Sequence, residues 1–142
     1  MTKQFVYILF LLFIISCSKD SIQSKPQLKL NSINTTVVTQ GNDLLVTFRL
    51  TDKEGDFIDT IWVQKQTSSC IESDFLDSTY YRIPAETPRK TNFDGIVSIT
   101  FTYPRDLQPL CNKADTAVFS FWIKDAKGNQ SDTTKTEPII IQ

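Results

Sequence analysis

Two oxygen-rich turns hold the residues of this 142-residue chain whose types and spacing best suit chemistry. Asp52, Glu54 and Asp56 alternate through the first, with Asp59 just beyond; Asp125, Asn129 and Asp132 lie in or beside the second. Such acids suit calcium, which takes about six to eight oxygens at about 2.3–2.6 Å from carboxylates, backbone carbonyls and water. The candidate calcium ligands are therefore Asp52, Glu54, Asp56, Asp125 and Asn129. The run is not an EF-hand loop, which needs about 12 residues and a closing bidentate Glu. The same residues are also ordinary turn material. Asp and Asn side chains bond the local backbone, and glycine tolerates positive φ. Both readings stand at this level.

Other chemistry finds little support. The chain contains no histidine, which removes Ser-His-Asp and Cys-His catalysis and the commonest ligand of zinc, copper and iron. There is no phosphate-cradling glycine loop, nucleophile elbow or zinc motif. Glu72, Asp74 and Asp77 are close in sequence, but only their separation in space would identify paired-carboxylate hydrolysis. The expectation is a protein that is not an enzyme, with no catalytic residues.

Three cysteines divide between two roles. Ile14-Ile15-Ser16-Cys17 closes an apolar run, Phe5 to Ile15, that Lys3 precedes. At 11 residues the run is short of the roughly 20 needed to span a bilayer. A basic start, an apolar stretch and a small residue before the cut make a signal peptide over residues 1–16. The closing four residues read as a lipobox, so Cys17 would carry lipid and become the mature N-terminus. In an ordinary secretory signal Cys17 would be incidental. Losing Lys3 with the signal leaves 14 basic and 16 acidic residues over 126 positions, one domain's worth of mixed charge. Without a basic block nucleic acid is not an expected partner. Cys70 and Cys111 then remain, and outside the cytoplasm a disulfide is the default for such a pair. It would close a loop of about 40 residues, for which chain entropy gives roughly 4 kcal/mol. The rival is one free thiol, which no cationic surroundings would activate.

The elements that must position these residues are strands. Leu44, Val46, Phe48 and Leu50 alternate with Leu45, Thr47, Arg49 and Thr51. Val97, Ile99, Phe101 and Tyr103 follow the same rule, as do Ala117, Phe119, Phe121 and Ile123. Period-two alternation with one apolar face predicts strands near 28–38 (broken), 44–51, 57–66, 79–84, 96–103, 116–125 and 133–141. All four glycines are expected between strands, at Gly41, Gly55, Gly95 and Gly128. Seven short strands predict an all-β fold, a single immunoglobulin-like antiparallel β-sandwich over 28–142, after a polar tether at 17–27. In that fold the third and sixth strands are neighbours, which places Cys70 near Cys111. The two acidic turns share one end of the molecule.

The same phase argument sets the tryptophans. Trp122 lies opposite the Phe119/Phe121/Ile123 face. Trp62 points outward if Ile61 and Val63 are the inward pair, and the two indoles then form an exposed patch of the kind that marks binding surfaces. The other assignment makes Trp62 the buried third-strand tryptophan of immunoglobulin domains. The connection from Cys70 to Asp94, with Tyr80, Tyr81, Pro84, Pro88, Arg89 and Lys90, is long, and no site is assigned to it.

Several segments resemble one family. Phe48-Arg49-Leu50-Thr51-Asp52-Lys53-Glu54-Gly55-Asp56 followed by Ile61-Trp62-Val63, then Tyr81-Arg82-Ile83-Pro84, Gly95-Ile96-Val97 and Asp125 to Asp132, are similar to immunoglobulin-like lipoproteins of Bacteroidota. Residues 1–20 resemble bacterial lipoprotein leaders, and Ser18 after Cys17 implies, by that resemblance, the outer membrane. The resemblance implies a fold and an address rather than a reaction. The expected function is a lipid-anchored binding or interaction module of the cell envelope, its partner another envelope protein or an extracellular glycan. The competing expectation is a structural or accessory lipoprotein of a larger outer-membrane assembly, without a ligand of its own.

Overall fold

Alternation along the chain becomes a pair of facing sheets because each strand buries one row of side chains. The computed structural model describes residues 22–67, 79–103, 105–107 and 113–142. The lipidation expected at Cys17 and the disulfide expected between Cys70 and Cys111 lie outside the described residues. Among the described residues nine strands follow in order: β1 (Gln27–Ile33), β2 (Val37–Val38), β3 (Leu44–Asp52), β4 (Phe57–Thr67), β5 (Thr79–Arg82), β6 (Phe93–Phe101), β7 (Asp115–Asp125), β8 (Thr134–Lys135) and β9 (Ile139–Ile141). One sheet runs β1–β3–β6 and the other β2–β9–β7–β4–β5, with β8 also on β7. This is an immunoglobulin-like β-sandwich, and no helix occurs among the described residues.

The core lies between the sheets. Leu44, Val46, Phe48 and Leu50 of β3 face Ala117, Phe119, Phe121 and Ile123 of β7, all fully buried. Phe48 meets Phe121 across the gap at 4.7 Å between ring centroids, and Phe101 of β6 meets Phe119 at 5.1 Å. Each such side chain contributes about 1.5–3 kcal/mol by leaving water. This layer fixes the strand phases and so decides what faces outward.

Four details refine the sequence reading. The first predicted strand splits, so that β1 pairs with β3 while β2 crosses to the other sheet and runs parallel to β9. One parallel pair therefore joins an otherwise antiparallel fold. The last predicted strand also splits into β8 and β9, with Pro138, which has no N–H to donate to a ladder, ahead of β9. The fourth strand, β5, pairs with β4 and not with β6, which widens the sheet that carries the tryptophans. Gly95 lies inside β6, paired with Leu50, rather than between strands. The Phe93 ring covers Gly95 so closely that an added Cβ would sit 2.8 Å from it, so the missing side chain is a packing requirement here.

Candidate functional site

The outer face of β5–β4–β7 brings the aromatic residues together. Ile61 and Val63 are buried, so Trp62 between them faces outward and is half-buried rather than a core tryptophan. The register sets Trp62 directly opposite Trp122 on β7 and opposite Tyr80 on β5. Tyr80, at 53% exposure, stands edge-on to Trp62 with ring centroids 5.9 Å apart. Strands are spaced about 4.8 Å apart, so the three rings form one row across the sheet. Gln64 lies opposite Ser120 in the next outward row, with Lys135 of β8 on its far side. Together they line an open groove of about 680 Å³ with Lys124 and Gln130 on its wall. That volume falls within the range of about 300–1,000 Å³ typical of ligand sites.

Two polar groups of the groove are unsatisfied. Trp62 Nε1 and Ser120 Oγ are buried and make no hydrogen bond among the described residues. A buried polar atom left unpaired costs about 1–3 kcal/mol. Phase argued from sequence set Trp122 outward and left Trp62 open between the two faces. Tyr80, Gln64 and Ser120 depend on which strands are neighbours, and no local pattern reveals that.

The acidic turn between β3 and β4 is built differently. Asp52 continues the inward row of Leu44, Val46, Phe48 and Leu50, and is fully buried at its end. The chain reverses at Gly55 (φ +70°), where an added Cβ would collide with the Lys90 carbonyl. Asp52, Glu54 and Asp56 thereby converge, with one carboxylate oxygen from each within 4.8 Å of the others. Asp52 Oδ1 accepts from the Glu54 N–H at 3.2 Å. Burial pushes its carboxyl above the usual value; the Gly55 and Glu54 N–H groups oppose this, and the Asp56 and Glu54 charges add to it.

Neighbouring segments hold this turn from several sides. Lys53 N–H donates to Gln23 O at 3.0 Å and Asn92 N–H to Lys53 O at 2.7 Å. Ala126 N–H donates to Asp56 O at 2.8 Å. Arg89 donates to Phe57 O at 2.5 Å while its guanidinium lies 3.8 Å from the Phe57 ring centroid. The long connection before β6, to which sequence assigned no role, thus braces the acidic turn. The contact of Gln23 also means that packing begins within the stretch read as tether.

Asp125 and Asn129 are brought next to this turn but spend their polar atoms on each other. Asp125 Oδ1 accepts from Lys127 N–H at 2.9 Å and Asn129 N–H at 2.7 Å, and Oδ2 accepts from Asn129 Nδ2 at 2.6 Å. Burial acts upward on this carboxyl, yet those bonds together outweigh it and hold Asp125 below the usual range. Of the five acid-turn candidates, the structure therefore joins three.

Fold and groove define a β-sandwich with an aromatic-floored groove on one outer face. No known protein family matches the chain, and no curated protein matches it. Among solved structures it is similar to a Niemann-Pick type C2 protein from the Japanese carpenter ant, at 9% identity over 86% of this chain and 98% of that one, with a TM-score of 0.47. It is also similar to a CARDB domain from Pyrococcus furiosus solved in complex with di-metal ions, at 7% identity over 85% and 97%, with a TM-score of 0.35. Likenesses this distant bring neither topology nor ligand to the chain; the fold assignment rests on the strand order above.

Proposed function

We propose that this protein is a non-enzymatic binding module, held at the outer membrane by lipid on Cys17, that takes an extracellular glycan on the outer face of β5–β4–β7. The observation that carries the reading is the in-register pair Trp62–Trp122 at the floor of a groove that also holds the unbonded Trp62 Nε1 and Ser120 Oγ. A sugar ring offers an apolar face for an indole and hydroxyls for buried donors and acceptors. An indole does the complementary work, with a flat apolar body and one N–H. Gln64, Lys124 and Gln130 supply further polar groups around the stack.

A glycan array probed with the lipidated protein in detergent micelles tests this. Trp62→Ala and Trp122→Ala are each expected to weaken the signal by more than about tenfold, the effect of removing a central aromatic contact. Their melting temperatures should stay close to the parent's, because both side chains face outward. A blank array together with capture of an envelope protein through the same tryptophans would replace the glycan with a protein partner. Loss of neither upon substitution would leave the accessory role as the better account.

A further inference from the structure

We propose that Asp52, Glu54 and Asp56 form a calcium site at the end of the sandwich where the β3–β4 and β7–β8 turns meet. Their nearest carboxylate oxygens all lie within 4.8 Å of one another. An ion among three oxygens so placed lies no more than about 2.8 Å from each, a few tenths of an ångström from the calcium–oxygen range of about 2.3–2.6 Å. Each residue also has a buried oxygen that no hydrogen bond from the described residues reaches: Asp52 Oδ2, Glu54 Oε2 and Asp56 Oδ1. Asp52 is the decisive one, because it is 0% exposed at the end of a row of core side chains. Turn-forming carboxylates spend their oxygens on nearby N–H groups, as Asp125 does, with Oδ1 on two backbone N–H groups and Oδ2 on the Asn129 side-chain amide. An inward-facing carboxylate with an unbonded oxygen, beside two others in the same condition, is expensive unless a cation meets it.

Among the described residues no buried cation fills that place. The ion pair these three acids make among the described residues is Lys127 Nζ to Asp56 Oδ2 at 3.8 Å, and that lysine is 67% exposed. The backbone is already set by the bonds at Lys53, Asp56 and Phe57, so the three ligands need little ordering when an ion arrives. Bidentate carboxylates, turn carbonyls and water would complete the shell.

Calorimetry and thermal unfolding of the full lipidated chain in micelles, stripped of metal and given calcium chloride alone, decide the matter. The expected result is one ion per chain with a Kd on the order of 10⁻⁴–10⁻³ M, the range of extracellular modules. The melting temperature should rise by about 5 °C at about tenfold above Kd. Asp56→Asn and Glu54→Gln keep shape and remove charge. Each should melt without metal at or above the parent's temperature, and each should lose the calcium-dependent rise. Should Asp56→Asn fail to fold, Glu54→Gln carries the test. The proposal is overturned by the absence of both heat and shift at about 10 mM calcium, by a calcium response that survives both substitutions, or by an equal response to magnesium.

Discussion

Asp52 and Asp125 are both buried aspartates in adjoining turns, yet they are in opposite electrostatic situations. Asp125 is surrounded by donors, and its depressed pKa ties stability to pH. A carboxylate whose folded value lies below its unfolded value, about 3.9, stabilises the fold above that pH. The contribution disappears as pH falls through the unfolded value towards the folded one. Urea titrations across acid pH should therefore show the parent losing stability below about pH 4, and Asp125→Asn following a flatter curve. Asp125→Ala should cost about 2–4 kcal/mol at neutral pH, because it strands two backbone N–H groups and the Asn129 amide. Sequence spacing could not separate these two aspartates, since the same residue type serves as turn material and as ligand. What distinguishes them is where their oxygens point, and for Asp52 a trace of this was legible: it continues the period-two row of β3 inward.

Among the elements, β4 and β7 carry most of the molecule's character. They are the pair that presents the tryptophans outward, and at their other end they hold a buried ion pair. Lys65 Nζ lies 2.8 Å from Asp115 Oδ2, with the two side chains 4% and 0% exposed, and Thr67 donates to Asp115 as well. Removing one partner of such a pair leaves a buried charge uncompensated, at about 3–5 kcal/mol. Lys65→Ala should accordingly lower stability by that much in chemical denaturation. The pair Lys65→Met with Asp115→Leu should recover most of the loss, since well-packed apolar side chains replace buried ion pairs at little cost. Strand positions were legible because a buried face imposes alternation, and the predicted limits of β3, β4 and β7 fall within a residue of those observed. Sheet membership was not. The residues of β5 alternate equally well beside β4 or β6, and Gly95 looks like a turn residue until the Phe93 ring is seen lying over it. The groove shares that limit, because Gln64 and Ser120 enter it through pairing rather than through their neighbours in sequence.

For the whole molecule, the proposed function depends on where the domain is held as well as on what it binds. Cys17→Ser should abolish lipid labelling and move the protein from the membrane fraction to the soluble one, with the glycan array pattern of the domain unchanged. A labelled, membrane-bound Cys17→Ser protein would remove the anchor from the account. With the anchor in place, the free leash is shorter than the polar stretch suggests, because Gln23 is already bonded to Lys53. Six residue steps from Cys17 to Gln23 reach about 20 Å at most. The crossing of the first strand from one sheet to the other then acquires a mechanical meaning. Beyond β1 the chain continues into β2, which lies parallel to β9 and is tied to it through Thr36 O to Ile140 N at 2.8 Å and Val38 O to Gln142 N at 2.9 Å. A pull between the anchor and a ligand held on the β7 side would draw β2 lengthwise past β9. Bonds sheared in this way share the load instead of parting one after another, so a pull entering through β1 would be resisted first by its ladder with β3 and then by that of β2 with β9.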